Sequence, residues 1–189
     1  NDYKVMFAEL LDEADAVVVA TADHTHAIIA AEAIAAGKHV YVEKPLTHTV
    51  YESRLLTKLA KKYNVATQMG NQGHSEANYF QFKAWMEAGI IKDVTKVVAH
   101  MNNDRRWHKY DWNMTKMPDG DAIPEGMDYD TWHGGIRYHN YSKLFHQGDW
   151  RSWYDFGMGA LGDWGAHLIH TAHEFLNLGL PYEINMKYA

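Results

Sequence analysis

Between residues 14 and 89 the sequence alternates three times between a short apolar run and a longer helical pattern, with links of only a few residues. "ADAVVVAT" (14–21) is almost continuously apolar, the pattern of a parallel strand buried on both faces. "THAIIAAEAIAAG" follows, rich in helix formers and closed by Gly37. "KHVYVEK" reads as a second strand. "TVYESRLLTKLAKKY" reads as a second helix, with Thr49 and Glu52 at capping-box spacing. "NVATQMGN" and "SEANYFQFKAWMEAG" repeat the unit, with Ser75 as the expected N-cap and Gly89 as the stop. Such alternation predicts an α/β fold with a parallel sheet and right-handed crossovers.

In open parallel sheets, ligands bind beyond the carboxyl ends of the strands. All three strand exits are polar here: Thr21 to His26, Glu43-Lys44-Pro45, and Gly70 to His74. Polar loops are ordinary, but three on one rim predict a site. Lys44 stands at the second exit, and Pro45 restricts the backbone around it, so its amine is aimed at the rim.

From residue 94 the pattern changes. "VTKVVAHMNND" (94–104) reads as another strand, 104–150 shows little periodicity, and a helix is expected from about Asp163 to Leu178, ended by Gly179 and Pro181. The expected division is 1–93 and 94–189. Asp163 and His167 stand one helical turn apart, the spacing by which a carboxylate orients an imidazole. Glycines 157, 159, 162 and 165 crowd the start of this helix, as close approach of a ligand or backbone requires. Six of the seven tryptophans (107, 112, 132, 150, 153 and 164) lie in this half. Aromatic faces with polar handles suit polyhydroxylated ligands, although an aromatic core explains any single tryptophan equally well.

Composition excludes several classes. There are no cysteines, hence no disulfide, thiolate ligand or thiol nucleophile. Net charge is −6 with no Lys/Arg cluster, which argues against a nucleic-acid partner. No apolar run approaches the ~18 residues of a membrane span. The chain opens on Asn1 inside a helical pattern and closes on the strand-like "YEINMKYA", so it reads as an internal piece of a longer protein. A targeting signal would then precede residue 1, outside this sequence, so the compartment stays open, with the cytoplasm favoured.

"AVVVATADHTHAIIAAEAIAAGKHVYVEKPL" and "WRSWYDFGMGALGDWGAH" resemble the Gfo/Idh/MocA family of NAD(P)-dependent oxidoreductases. The matching features are A-G-K-H-V, E-K-P, and a W-R pair followed by G-x-L-x-D-x-x-x-H. The resemblance implies the later part of a Rossmann domain followed by the first part of an α+β substrate domain with a broad sheet. It implies NAD or NADP as cofactor, and a homo-oligomer formed through the substrate-domain sheet. Lys44 matches the family's active-site lysine, before a typically cis proline bond, and Asp163 and His167 match its acid/base pair. Thr21, Asp23, His26 and Glu43 match positions near the nicotinamide, and Gln72 matches a position near the active site; Lys44 belongs to this cofactor set as well. His74, Trp150 and Arg151 are expected at the substrate. Ala22 and Asp23 stand where the family pattern has Pro and Asn. The Gly-rich phosphate loop and the acidic ribose-binding residue would lie upstream of Asn1.

The leading expectation is hydride transfer between a nicotinamide cofactor and a hydroxyl carbon of a sugar or cyclitol. His167 would take the proton and Lys44 would steady the oxyanion. An alternative on the same scaffold is a glycosidase or lyase that oxidises transiently, eliminates and reduces back. A third reading, a His-rich metal or interaction module, rests on His167, His170 and His173. These fan over about 240° around a regular helix and cannot all reach one ion, although two of them with Glu174 could. No metal ligand is assigned on this reading.

Overall fold

The structure is a computed structural model that describes residues 2–101, 114 and 116–186. After helix α1 (Tyr3–Leu10), strands β1 (Ala16–Val19), β2 (His39–Glu43) and β3 (Thr67–Gly70) alternate with helices α2 (Asp23–Ala35) and α3 (Val50–Tyr63). The strands form one parallel sheet in the order β1-β2-β3, with Val17 beside Val40 and Val40 beside Thr67. This is the sheet expected of a Rossmann-type domain. Helix α4 (Ala77–Glu87), the short α5 (Tyr129–His133) and α6 (Gly159–Phe175) follow.

Local chemistry sets the helix ends. Thr49 accepts from the Glu52 amide and the Glu52 carboxylate accepts from the Thr49 amide, closing a capping box on α3. Gly37 takes φ +79° after α2, and the Gly37 and Lys38 amides donate to the carbonyls of Ile34 and Ala33. That is a Schellman ending, for which a residue without Cβ is preferred.

The chain divides into two compact units, Asn1–Gly70 with Asn103–Asp163, and Asn71–Asn102 with Trp164–Ala189. The expected boundary near residue 93 falls inside the second. In the first unit, Val17, Val19, Val40 and Val42 pack on Ile29, Ala30, Ala33, Ile34 and Leu56. Phe145, Trp150 and Phe156 form a second, aromatic core there with Trp132 and Trp153 alongside.

Four expectations need correction. β1 is not buried on both faces: Val17 and Val19 are buried, whereas Val18 is 69% exposed. Among the described residues, α1, α2 and α3 pack on the core built from the Val17–Val42 side only. Residues 94–101 form no strand; strand hydrogen bonds run between strands, and no described segment pairs with these residues. Ser75 is not an N-cap. It ends the 3₁₀ turn Gln72–Ser75, and Glu76 takes the capping position without a side-chain bond. The last helix begins at Gly159, a full turn before Asp163, and stops at Phe175.

Candidate active site

β2 delivers Lys44 to the rim, where the Lys44–Pro45 peptide is cis. Lys44 Nζ donates to the backbone carbonyl of Asp163 at 2.6 Å and to the Asp163 carboxylate. The partners are separated by 119 positions in the chain. Arg151 brings a second cation, its Nε 3.7 Å from the same carboxylate oxygen, with its guanidinium 4.2 Å from the Trp150 ring. Asp163 is buried at 3% exposure, so this charge is taken from water and met by two cations. An ammonium carries three hydrogens. Two are held by Asp163, which fixes the amine and leaves a third for an incoming oxygen.

Asp23 opens α2 beside this group. It is 4% exposed, and its Oδ2 has no hydrogen-bond partner among the described residues. Burial pushes its carboxyl above the usual range and Asp163 adds to this, while His26, Arg151 and Lys44 pull it down. Thr21, at the same strand exit, is exposed and accepts from the Thr25 hydroxyl at 2.7 Å. Glu43 lies half-buried at the end of β2. A Cβ on neighbouring Gly70 would fall 2.8 Å from Tyr41 Oη and 2.9 Å from Glu43 Oε2, so a larger residue would push the ends of those two side chains aside.

Two histidines of this rim are fasteners. His26 is 1% exposed, with its ring nitrogens 2.7 Å from the Pro45 carbonyl and 3.0 Å from that of Thr21. It ties α2 to both strand exits. His24 has its nitrogens 3.2 Å and 3.0 Å from the carbonyls of Phe156 and Trp132 and meets both rings edge-on. Burial is the main cause that holds its pKa down, against those two hydrogen bonds. Nothing in the sequence marks these roles, since His24 and its partners lie more than a hundred positions apart.

Trp150 is buried at 8% exposure in the aromatic core. It also lines a cavity of about 470 Å³ with Trp132, Tyr141, Phe145 and Met127. Trp107 and Trp112 lie outside the described residues, as do residues 104–113 and 115 of the 104–150 stretch expected to form a substrate wall. In the second unit, Gln72 and His74 are exposed in the 3₁₀ turn and His167 is half-buried on α6.

Comparison with known proteins matches residues 2–71 to the GFO_IDH_MocA profile, described as an oxidoreductase family with an NAD-binding Rossmann fold. Residues 76–185 match the profile of that oxidoreductase family's C-terminal alpha/beta domain. Inositol 2-dehydrogenase 1 of Saccharopolyspora erythraea is 33% identical over 119 residues, 62% of this chain and 34% of that protein. Inositol 2-dehydrogenase of Gluconacetobacter diazotrophicus is 31% identical over 121 residues, 64% of this chain and 35% of that one. The chain thus spans about a third of the length of these relatives. Among solved structures, an inositol dehydrogenase homolog from Azotobacter vinelandii complexed with NADH and myo-inositol is 32% identical. That match covers 47% of this chain and 24% of the other, with a TM-score of 0.45.

Proposed function

The chain belongs to the Gfo/Idh/MocA oxidoreductase family, and from that premise we propose that it serves hydride transfer between NAD or NADP and a hydroxyl-bearing carbon of a cyclitol or sugar. The observation that carries this reading is the Lys44 ammonium, pinned to Asp163 at a strand exit with one hydrogen to spare. The names of the two inositol 2-dehydrogenases favour a cyclitol within that class.

The rim suits a nicotinamide. The unpartnered Asp23 oxygen is an acceptor for a carboxamide N–H, and Thr21 and Glu43 supply polar groups at the neighbouring exits. When bound, the nicotinamide supplies the hydride acceptor. The chain's own residues manage the proton and the charge. His167 takes the hydroxyl proton on an imidazole nitrogen as the C–H bond breaks. Lys44 donates its remaining hydrogen to the substrate oxygen as negative charge grows there, a contact that strengthens toward the transition state. Asp163 and Arg151 hold Lys44 in place, and Asp163, one helical turn from His167, favours the imidazolium that forms.

The test is NAD(P) reduction by the purified protein across a panel of cyclitols and sugars. His167→Ala is expected to lose about 10²–10⁴-fold in kcat with cofactor affinity retained. Lys44→Met, similar in size but uncharged, is expected to lose about 10²–10³-fold. Turnover within a few-fold of the unsubstituted protein in both variants sinks the assignment.

A further inference from the structure

We infer that His74, His170 and Glu174 form a binding site for one divalent transition-metal ion of the zinc class. All three lie in the second compact unit. His170 and Glu174 are four residues apart on α6 and so share a face, and the 3₁₀ turn Gln72–Ser75 brings His74 against them. One ligating atom from each lies within 4.8 Å of the other two. His74 Nε2 is already 3.6 Å from Glu174 Oε2. Donors around a tetrahedral zinc ion, at bond lengths of ~2.0–2.2 Å, stand about 3.4 Å apart. The remaining separation, up to 4.8 Å, would have to close through rotation of the exposed His74 and Glu174 side chains.

Two further features argue for a ligand rather than a plain surface ion pair. Both ring nitrogens of His170 are shielded from solvent and have no hydrogen-bond partner among the described residues. A shielded imidazole nitrogen left unpaired is costly, and a metal bond relieves that cost. Tyr79 Oη donates to Glu174 Oε1 at 2.9 Å, which orients the carboxylate and leaves Oε2 on the His74 side. Outer partners commonly fix metal ligands in this way. Two imidazoles and one carboxylate are a donor set for zinc or cobalt, with a fourth position left for water or another ligand. The histidine run on α6 therefore contributes only His170, and the second imidazole comes from His74.

The experiment is titration of the chelator-treated full chain with Zn²⁺ by calorimetry and with Co²⁺ by visible absorption. The expected result is one saturable equivalent and the absorption bands of four-coordinate cobalt. Tyr79→Phe should weaken binding by about 10–100-fold, and His74→Ala or His170→Ala by at least as much. Glu174→Gln, conservative and on an exposed side chain, tests the carboxylate where an alanine variant fails to fold. His173→Ala, whose ring instead meets the Gly179 carbonyl at 2.8 Å, should bind as the unsubstituted chain does. Zinc should raise the melting temperature of the unsubstituted chain and of His173→Ala but not of Glu174→Gln. Absence of a saturable equivalent, or binding unchanged in His74→Ala and Glu174→Gln, overturns the proposal.

Discussion

Asp23 holds a carboxyl group in a place that penalises its charge. Its side chain is buried, one oxygen lacks a partner among the described residues, and burial is the largest cause of its raised pKa. The sign of the stability effect follows. When the folded pKa exceeds the unfolded value near ~3.9, the folded state holds the proton longer. Stability is then full below the unfolded pKa and falls as pH rises through the folded one. Asp23→Asn removes the titration, so relative to the unsubstituted chain it should stabilise more at pH ~7 than at pH ~4. Paired urea melts at both values check this, and a difference independent of pH contradicts it. The same rim shows how far single residues are legible. Lys44 stood out because E-K-P follows directly on an apolar strand, and Asp163 because of its spacing from His167 and the glycines around it. Arg151, expected at the substrate, has its Nε 3.7 Å from the Asp163 carboxylate. His24 and His26, the latter expected near the nicotinamide, have their ring nitrogens against backbone carbonyls that only the folded chain brings near.

Elements were legible where their determinants are local. The Thr49–Glu52 box and the Gly37 ending both close within six residues, so the sequence contains the whole interaction. The exposed face of β1 and the unpaired 94–101 segment depend on what covers or pairs with them, which no local pattern states. The join before α6 depends on distant packing of another kind. Gly157 is buried, and a Cβ there would sit 2.5 Å from Arg151 Cα and 2.7 Å from the Arg151 carbonyl oxygen. Backbone atoms cannot swing aside, so Gly157→Ala has to displace the Arg151 segment that reaches Asp163. It should cost on the order of 2–3 kcal/mol. Gly89 is the contrast, with φ +69° but nothing within 4 Å of an added Cβ. Gly89→Ala carries only a conformational cost of about 1 kcal/mol. Thermal melts of the two variants should rank them in that order, and the reverse ranking contradicts the packing argument.

At the scale of the whole molecule, burial is unevenly shared. The first unit contains both cores, with Val19, Ala30, Ala33, Ile34, Val42 and Phe156 at 1% exposure or less. In the second unit the one buried residue among those described is Asn71, whose amide donates to the Ala166 carbonyl at 3.1 Å. Its apolar contacts are partial, chiefly Tyr79 and Phe82 against Phe175 at ring distances of 5.1 and 5.6 Å. Segments with few buried apolar contacts open locally at a free energy below that of global unfolding. In the 189-residue chain, amides of β1, β2 and α2 should therefore exchange with solvent slowest. Those of α4 and of α6 beyond Trp164 should exchange sooner, through opening that leaves the sheet intact. Zinc adds a second expectation. An ion held by His74, His170 and Glu174 ties the 3₁₀ turn to α6, and binding to the folded form alone stabilises by mass action. Zinc should then slow exchange around 170–174 and leave the β1 amides unchanged, because their exchange already requires opening of the first unit. Hydrogen exchange followed by mass spectrometry, with and without Zn²⁺, reads both effects at once. Equal protection of α4 and α2 contradicts the uneven distribution of stability, whereas slowed exchange spread evenly over both units contradicts a metal site confined to the second.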